Sequence, residues 1–170
     1  MSDRYVYVTY IRTTPEKLWD ALLSPEFTRT YWFGVRHESE WKKGAPWKMI
    51  FEDGTVGDAG EVLEIEKPKR LVLKWRNEFR PELRAEGYSR CTFDIEPVGQ
   101  VTKLTVTHEI DKTGSKFIEA VSGGWPKVLS NLKSLLETGE VLLKVNTDPN
   151  CPGANRQGMR QTGAAEAMAR

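Results

Sequence analysis

The fold of this chain is decided by the segment at residues 117–138, which reads FIEAVSGGWPKVLSNLKSLLET. Its apolar side chains recur at intervals of three and four residues, the spacing of one buried face of an α-helix. These side chains are Phe117, Val121, Trp125, Val128, Leu129, Leu132, Leu135 and Leu136. Gly139 follows directly, and glycine in this place commonly ends a helix. The segment therefore predicts one long amphipathic helix that must cover an apolar surface formed elsewhere in the chain.

Two glycines and a proline interrupt this helical pattern. Pro126 removes one backbone hydrogen bond, and proline inside a helix kinks or restarts it. We therefore expect a short first segment and a main helix that begins near Trp125. Gly123 and Gly124 remove side chains where helix and sheet should approach, which predicts either close backbone packing or a mouth. A third interpretation, in which the glycines only let the helix bend over the sheet, stays open.

The segments before this helix alternate between apolar and polar residues and are separated by turn sequences. Within residues 101–110, for example, Leu104, Val106, His108 and Ile110 fall on one face. Such alternation marks a sheet with one face toward water, and short connections favour antiparallel neighbours. The predicted strands are residues 5–13, 47–52, 60–66, 70–76, 87–96 and 101–110.

Two short helices are predicted after the first strand. Thr14 precedes Pro15, which is the pattern of an N-cap followed by proline at the first helical position. This helix should stop at Ser24-Pro25, where a second one, over residues 26–31, begins. The whole pattern predicts an α+β fold: a curved antiparallel sheet closes around the long C-terminal helix, with two short N-terminal helices and an apolar cavity between sheet and helix.

The composition of the chain indicates which kinds of partner and which cellular compartment to expect. The chain has 170 residues and a formal net charge of +1, so it suits one domain and shows no charge excess toward nucleic acid or anionic lipid. No segment is apolar for long enough to cross a bilayer, and the first residues lack the apolar run of a signal peptide. We therefore expect a soluble cytoplasmic protein with no nucleic-acid partner and no membrane partner. The composition of residues 145–170 predicts a flexible tail after a domain of residues 1–144.

Five stretches of the chain resemble a known family. They are RTTPEKLWDAL at residues 12–22, GEVLEIEKP at 60–68, LVLKW at 71–75, LTVTH at 104–108 and GGWPKVLSNLKSLLETG at 123–139. Together they resemble START-like (SRPBCC) proteins of the "activator of heat-shock protein 90 ATPase homologue" type. The resemblance implies a helix-grip fold with a hydrophobic cavity but no single activity, since relatives include co-chaperone domains, lipid carriers, plant hormone-binding proteins and polyketide cyclases. The chain is similar to the C-terminal module of the eukaryotic co-chaperone, without that protein's separate N-terminal domain.

Six tryptophans are many for this length, and such residues either fill a core or line a ligand site. The predicted ligand-binding residues are the aromatic and apolar side chains expected to face inward, together with one histidine. They are Trp32, Trp47, Phe51, Trp75, Phe93, His108, Phe117, Val121, Trp125 and Leu129. Each tryptophan alone also fits ordinary core.

His108 is the best polar candidate in this set. A neutral imidazole on the inward face could hydrogen-bond a ligand or act as an acid or base, but it could equally be a core histidine satisfied by a neighbour. His37 and His108 are not spaced as metal ligands, and Cys91 has no CxxC partner. No catalytic residue, metal ligand or cofactor is therefore predicted.

Three functions are compatible with these features. The leading hypothesis is binding of a small hydrophobic or aromatic ligand in the cavity, with no assigned reaction. The first alternative is a polyketide cyclase- or dehydratase-like enzyme, which needs polar groups that converge in the pocket. The second alternative is a co-chaperone-like module that binds a chaperone and stimulates its ATPase. It rests on kinship alone, and it predicts an exposed apolar patch or a basic groove on the sheet.

Overall fold

The computed structural model describes residues 2–144, so the predicted tail at residues 145–170 lies outside the described residues. The strands in this part of the chain are β1 (Asp3–Ile11), β2 (Arg36–Ser39), β3 (Pro46–Ile50), β4 (Val56–Glu66), β5 (Arg70–Asn77), β6 (Ser89–Val98) and β7 (Val101–Ile110). The helices are α1 (Pro15–Leu23), α2 (Pro25–Tyr31), α3 (Pro81–Arg84) and α4 (Lys116–Thr138). None of these helices combines the length and apolarity that crossing a bilayer requires.

The strands form one sheet in the order β1-β7-β6-β5-β4-β3-β2, and every neighbouring pair is antiparallel. The predicted α+β fold, with a curved sheet around a long C-terminal helix, is thus confirmed. The register of β4 against β5 shifts between Val62 and Glu64, and an irregularity of this kind bends a strand. At Gly60 a Cβ would lie 1.7 Å from the carbonyl oxygen of Lys74, so only glycine allows the two strands this approach.

The sequence-based prediction missed two short elements. These are β2, over Arg36–Ser39, and α3, over Pro81–Arg84. Four residues are too few to show the two-residue repeat of a strand or the 3.6-residue repeat of a helix. Leu83 of α3 belongs to the wall of the pocket described below. The N-cap prediction for α1 is confirmed, because the Thr14 hydroxyl accepts a hydrogen bond from the Lys17 backbone N–H at 3.3 Å.

Helix α4 runs without interruption through Pro126, so the predicted break near Trp125 is wrong. Proline withholds a single backbone N–H, and the flexible Gly123-Gly124 turn before it can adjust to the ring. On both sides of this turn the helix buries apolar side chains, including Phe117, Trp125 and Leu129, which offsets the cost of the proline. The predicted end at Gly139 is confirmed, since this residue adopts a left-handed φ of 84°.

Both ends of α4 are fixed to the rest of the domain. At the start, the Glu86 carboxylate accepts hydrogen bonds from the Ser115 hydroxyl at 2.6 Å and from the Lys116 and Phe117 backbone N–H groups at 2.8 and 3.2 Å. In the second half of the helix, the buried Asn131 amide donates to the carbonyl oxygen of Tyr31 at 3.2 Å. These bonds connect the start of α4 to the segment between α3 and β6, and its second half to the end of α2.

Candidate functional site

A pocket of about 420 Å³ lies between the first half of α4 and the part of the sheet formed by β3, β4 and β5. Its volume is in the range of small-molecule sites. The wall is mainly aromatic and aliphatic: Trp32, Phe33, Val35, Met49, Phe51, Trp75, Phe79, Leu83, Phe117, Ala120, Val121, Trp125 and Val128. The remaining wall residues are polar or glycine: Asp58, Asn77, Arg80, Lys127, Gly123 and Gly124.

The two helical glycines border open space rather than a packed backbone. A Cβ built on Gly123 or Gly124 would meet no other atom within 4 Å, and both residues belong to the pocket wall. The expectation of close backbone packing at this point is therefore wrong. Phe33, another residue of the wall, holds a left-handed φ of 50°, which is uncommon for a residue with a side chain.

The structure brings six of the predicted site residues together on this wall: Trp32, Phe51, Trp75, Phe117, Val121 and Trp125. The other four, Trp47, Phe93, His108 and Leu129, are buried but do not belong to the wall. Trp47 lies behind Trp75, with 4.4 Å between ring centroids, and Phe93 lies 5.8 Å from Trp125. These residues support the rings that face the pocket.

His108 is fully buried with both ring nitrogens engaged. Its Nδ1 accepts a hydrogen bond from Trp125 Nε1–H at 3.2 Å. Its Nε2 lies 2.8 Å from the hydroxyl oxygen of Ser89, and that hydroxyl donates to the carbonyl oxygen of Trp75 at 2.9 Å. These partners assign the proton to Nε2. Burial lowers the pKa of His108 to about 3, so the ring is neutral at physiological pH.

His37 shares part of this arrangement and lies beside the rings of Trp32 and Trp47, at centroid distances of 4.7 and 5.7 Å. Its Nδ1 accepts a hydrogen bond from Trp47 Nε1–H at 3.0 Å, and burial lowers its pKa to about 3. Its Nε2 has no hydrogen-bond partner within residues 2–144. Over the same residues, no group of three or more His, Cys, Asp or Glu side chains could hold a metal ion.

Asp58 is the polar wall residue that the sequence-based prediction missed. It is 5% exposed, and its Oδ1 has no hydrogen-bond partner in the described part of the chain. Burial raises the pKa of Asp58 to about 8; the nearby Trp75 and Asn77 side chains oppose this rise, and the Glu78 charge adds to it. At pH 7 this residue is therefore mainly an uncharged carboxylic acid facing an apolar space.

The alternation of residues along a strand could have predicted that Asp58 faces inward. Counting back by twos from the buried Val62 leads through Gly60 to Asp58, on the same face of β4. The predicted strand began at residue 60 because Gly57 and Gly60 weaken the β-pattern. The observed β4 begins at Val56, so it includes this position.

Ion pairs fix the loop at the rim of the pocket. Glu78 accepts from Arg76 and from Arg84 at 2.8 Å each. Burial raises the pKa of Glu78, but the hydrogen bonds and charges of the two arginines outweigh burial and hold the pKa below its usual value. Arg80 donates from its backbone N–H to Asn77 Oδ1 at 2.9 Å and pairs through its side chain with Glu82 at 2.8 Å. The polar edge of the pocket is thus held in one arrangement.

Comparison with known proteins identifies the relatives of this domain. A sequence model of the family described as Activator of Hsp90 ATPase homolog 1-like protein matches residues 12–137. No curated protein matches the chain. Among solved structures, a protein from Mesorhizobium loti is 24% identical, with a TM-score of 0.68 and coverage of 79% of this chain and 96% of that chain.

Two further structures share this fold. An HSP90 activator from Plasmodium falciparum is 24% identical, with a TM-score of 0.64 and coverage of 78% of this chain and 95% of that chain. The Aha1 dimer from Colwellia psychrerythraea is 19% identical, with a TM-score of 0.65 and coverage of 81% and 98% in the same order. At these identities the structural similarity establishes the fold alone.

Proposed function

The chain belongs to the family of Activator of Hsp90 ATPase homolog 1-like proteins, and we propose that within this family it binds a small hydrophobic or aromatic ligand in the pocket between α4 and the sheet. The observation that carries this proposal is the aromatic wall. The Trp32 and Trp125 rings lie 5.3 Å apart and those of Trp75 and Trp125 lie 5.9 Å apart, measured between centroids. All three rings border the same open space. A flat apolar ligand would cover them and release water from apolar surface.

The proposed function is binding, without a chemical reaction. His108 is the only residue that the sequence nominated for acid–base chemistry, and both of its ring nitrogens are hydrogen-bonded inside the core. A role in proton transfer would first require one of these bonds to break. The cyclase-like alternative therefore receives no support from this residue.

The proposal is tested with a pair of valine substitutions. Val121→Trp places a large ring in the pocket, whereas Val8→Trp makes the same change on the outer face of β1, where Val8 is 46% exposed. Fatty acids, flavonoids and unsubstituted naphthalene serve as probes in thermal-shift, native mass and calorimetric measurements. We expect a ligand to stabilise the wild-type protein and the Val8 variant, and to lose at least tenfold in affinity for the Val121 variant. Equal binding to both variants, or no binding by any probe, would overturn the proposal.

A second candidate function is binding to a chaperone of the Hsp90 type. The family description and the name of the Plasmodium falciparum relative support it. The domain also exposes a row of apolar side chains on the outer face of β1, where Val6, Val8 and Tyr10 are 46%, 46% and 49% exposed. Such a row is a surface that a protein partner could cover.

This second function is tested independently of the pocket. The triple variant Val6→Thr, Val8→Thr and Tyr10→Thr keeps β-favouring residues but removes the apolar row. If the row contacts an Hsp90-type chaperone, the wild-type protein changes the ATPase rate of that chaperone and the triple variant does not. The Val121→Trp variant should act as the wild-type protein does. No effect of the wild-type protein on the ATPase rate would rule this candidate out.

A further inference from the structure

Two polar atoms of the pocket wall lack a hydrogen-bond partner among residues 2–144. They are Oδ1 of Asp58 and Nε1 of Trp75, and the side chains that carry them belong to residues only 5% and 3% exposed. The third unpartnered buried side-chain atom in this part of the chain, His37 Nε2, is outside the wall. Buried polar groups are almost always paired, so unpaired ones on a pocket wall indicate where a bound group would find its partners.

The two atoms belong to one face of the β4–β5 pair. Gly60 lies opposite Trp75 in the register, and Asp58 is two residues from Gly60 along β4. The indole N–H is close enough to lower the pKa of the Asp58 carboxyl, yet the two atoms do not complete a hydrogen bond of acceptable geometry. A ligand group that reaches both side chains from the pocket could accept from the indole N–H and donate to the carboxyl.

We propose that Asp58 and Trp75 form a polar subsite inside the pocket, and that this subsite takes an uncharged hydroxyl group, phenolic or enolic, of an otherwise apolar aromatic ligand. The inference rests on the proposed ligand-binding function and deepens it. A hydroxyl group donates one hydrogen bond and accepts others, so it can donate to Asp58 Oδ1 and accept from Trp75 Nε1–H.

Charge selects against ionised ligand groups at this subsite. A carboxylate placed here would have to leave water to meet a carboxyl group, with Glu78 contributing further negative charge. An ammonium group would require Asp58 to ionise, and burying both charges carries a double desolvation cost. The cationic wall residues Arg80 and Lys127 are not free to compensate, because each already interacts with other groups of the domain. A neutral hydroxyl avoids these costs.

The subsite is tested with three probes of nearly the same size: naphthalene, 2-naphthol and 2-naphthoate. Calorimetry gives the dissociation constant of each probe for the wild-type protein, Asp58→Asn, Asp58→Leu and Trp75→Phe. The asparagine amide keeps one donor and one acceptor in the shape of the protonated acid, whereas leucine keeps only the volume. The Trp75 indole N–H resonance in the wild-type protein gives a second readout that does not depend on any variant folding.

We expect 2-naphthol to bind the wild-type protein roughly three- to tenfold more tightly than naphthalene, the ratio that a net gain of about one hydrogen bond supplies. Asp58→Asn should keep most of this preference, Trp75→Phe should reduce it, and Asp58→Leu should abolish it. In the wild-type protein, 2-naphthol but not naphthalene should move the Trp75 indole proton downfield.

Each contrary outcome is distinct. Equal binding of naphthalene and 2-naphthol, or an unchanged preference in Asp58→Leu, overturns the subsite while the pocket proposal stands. Tightest binding of 2-naphthoate replaces the hydroxyl subsite by an anion site. If Asp58→Leu does not fold, an unshifted Trp75 indole proton on addition of 2-naphthol overturns the subsite by itself. If no probe binds, the ligand-binding function fails and the subsite fails with it.

Discussion

The indole Nε1–H of Trp125 donates a hydrogen bond to Nδ1 of His108 at 3.2 Å, and this bond ties α4 to β7 behind the pocket wall. From His108 the connection continues through Ser89 in β6 to the carbonyl oxygen of Trp75 in β5, over 2.8 and 2.9 Å. Trp125 and Trp75 both present rings to the pocket. The wall is therefore held in shape by polar bonds in the core as well as by ring packing.

The first prediction removes the donor of this bond. Trp125→Phe keeps an aromatic ring but leaves Nδ1 of His108 buried without a partner. A buried acceptor that loses its donor costs about 1–3 kcal/mol, so the free energy of unfolding should fall by about this amount. Urea unfolding followed by circular dichroism measures the change.

Trp19→Phe is the matched control, because Trp19 and Trp125 are both 4% exposed and the two changes remove the same ring volume. This substitution should cost less than the one at position 125. Equal losses for the two variants would show that ring volume, and not the bond to His108, sets the stability.

The second prediction concerns acid. Burial lowers the pKa values of His37 and His108 to about 3, below the value of about 6.5 that an unfolded chain shows. Between pH 6.5 and pH 3, the two histidines therefore bind protons in the unfolded chain but not in the folded domain. The stabilising contribution of each neutral ring is complete above pH 6.5 and falls by about 1 kcal/mol per pH unit on acidification. Urea unfolding at several pH values measures the trend.

A direct observation of the two rings provides the control. In the folded protein, the ring proton resonances of His37 and His108 should not titrate between pH 8 and pH 5. A folded-state titration midpoint near 6.5 for either ring would contradict the prediction for that ring.

The third prediction concerns Asp58, whose contribution to stability falls as the pH rises. The pKa of Asp58 is raised from 3.8 to about 8, so the folded domain keeps a proton that the unfolded chain releases. The contribution of this carboxyl to stability is complete below pH 3.8, falls as the pH rises to about 8, and is constant above that. Asp58→Asn cannot release a proton, so the wild-type protein should lose about 1 kcal/mol per pH unit relative to this variant. Paired urea unfolding at pH 6, 7 and 8 gives the difference.

A constant difference between the two proteins over this range would mean that Asp58 is already ionised in the folded state. Together the second and third predictions place the maximum of stability near pH 6.5. Below this pH, acidification lowers the free energy of unfolding through the two histidines by more than it raises it through Asp58. Above this pH, Asp58 dominates, and the free energy of unfolding falls as the pH rises.

Sequence periodicity predicted which face a residue takes, but not how deep it lies. Trp47 and Trp75 both read as inward-facing, and both are buried, yet Trp75 borders the pocket while Trp47 lies behind it. Both residues lie opposite Gly60 in the register, so alternation gives them the same face, and which of them borders the pocket depends on how the sheet packs against α4. Long-range geometry of this kind leaves no local pattern in the sequence.

The same limit explains Asp58 and His108. The alternation in β7 is regular, so it placed His108 on the inner face correctly, but the donors that satisfy its nitrogens come from Trp125 in α4 and Ser89 in β6. In β4 the glycines obscured the alternation, and the carboxyl on the pocket wall went unnoticed. Element type follows from local pattern, whereas the partners of a polar group follow from tertiary contacts.

The fourth prediction follows from the uninterrupted helix. Gly123→Ala and Gly124→Ala place a methyl group where nothing lies within 4 Å, inside a helix that is already formed. Alanine loses less backbone entropy than glycine on folding, so each change should raise the free energy of unfolding by about 0.5–1 kcal/mol. Urea unfolding of each variant measures the gain.

Gly60→Ala makes the same chemical change where there is no room, because its Cβ would lie 1.7 Å from the Lys74 carbonyl oxygen. This variant should lose stability, since the clash is with backbone that cannot rotate away. Destabilisation by alanine at position 123 or 124 would mean that the proline turn depends on glycine flexibility, with the helix strained at Pro126. Stabilisation at both helical positions together with a loss at Gly60 would show that folding does not require glycine at position 123 or 124, although it does require glycine at position 60.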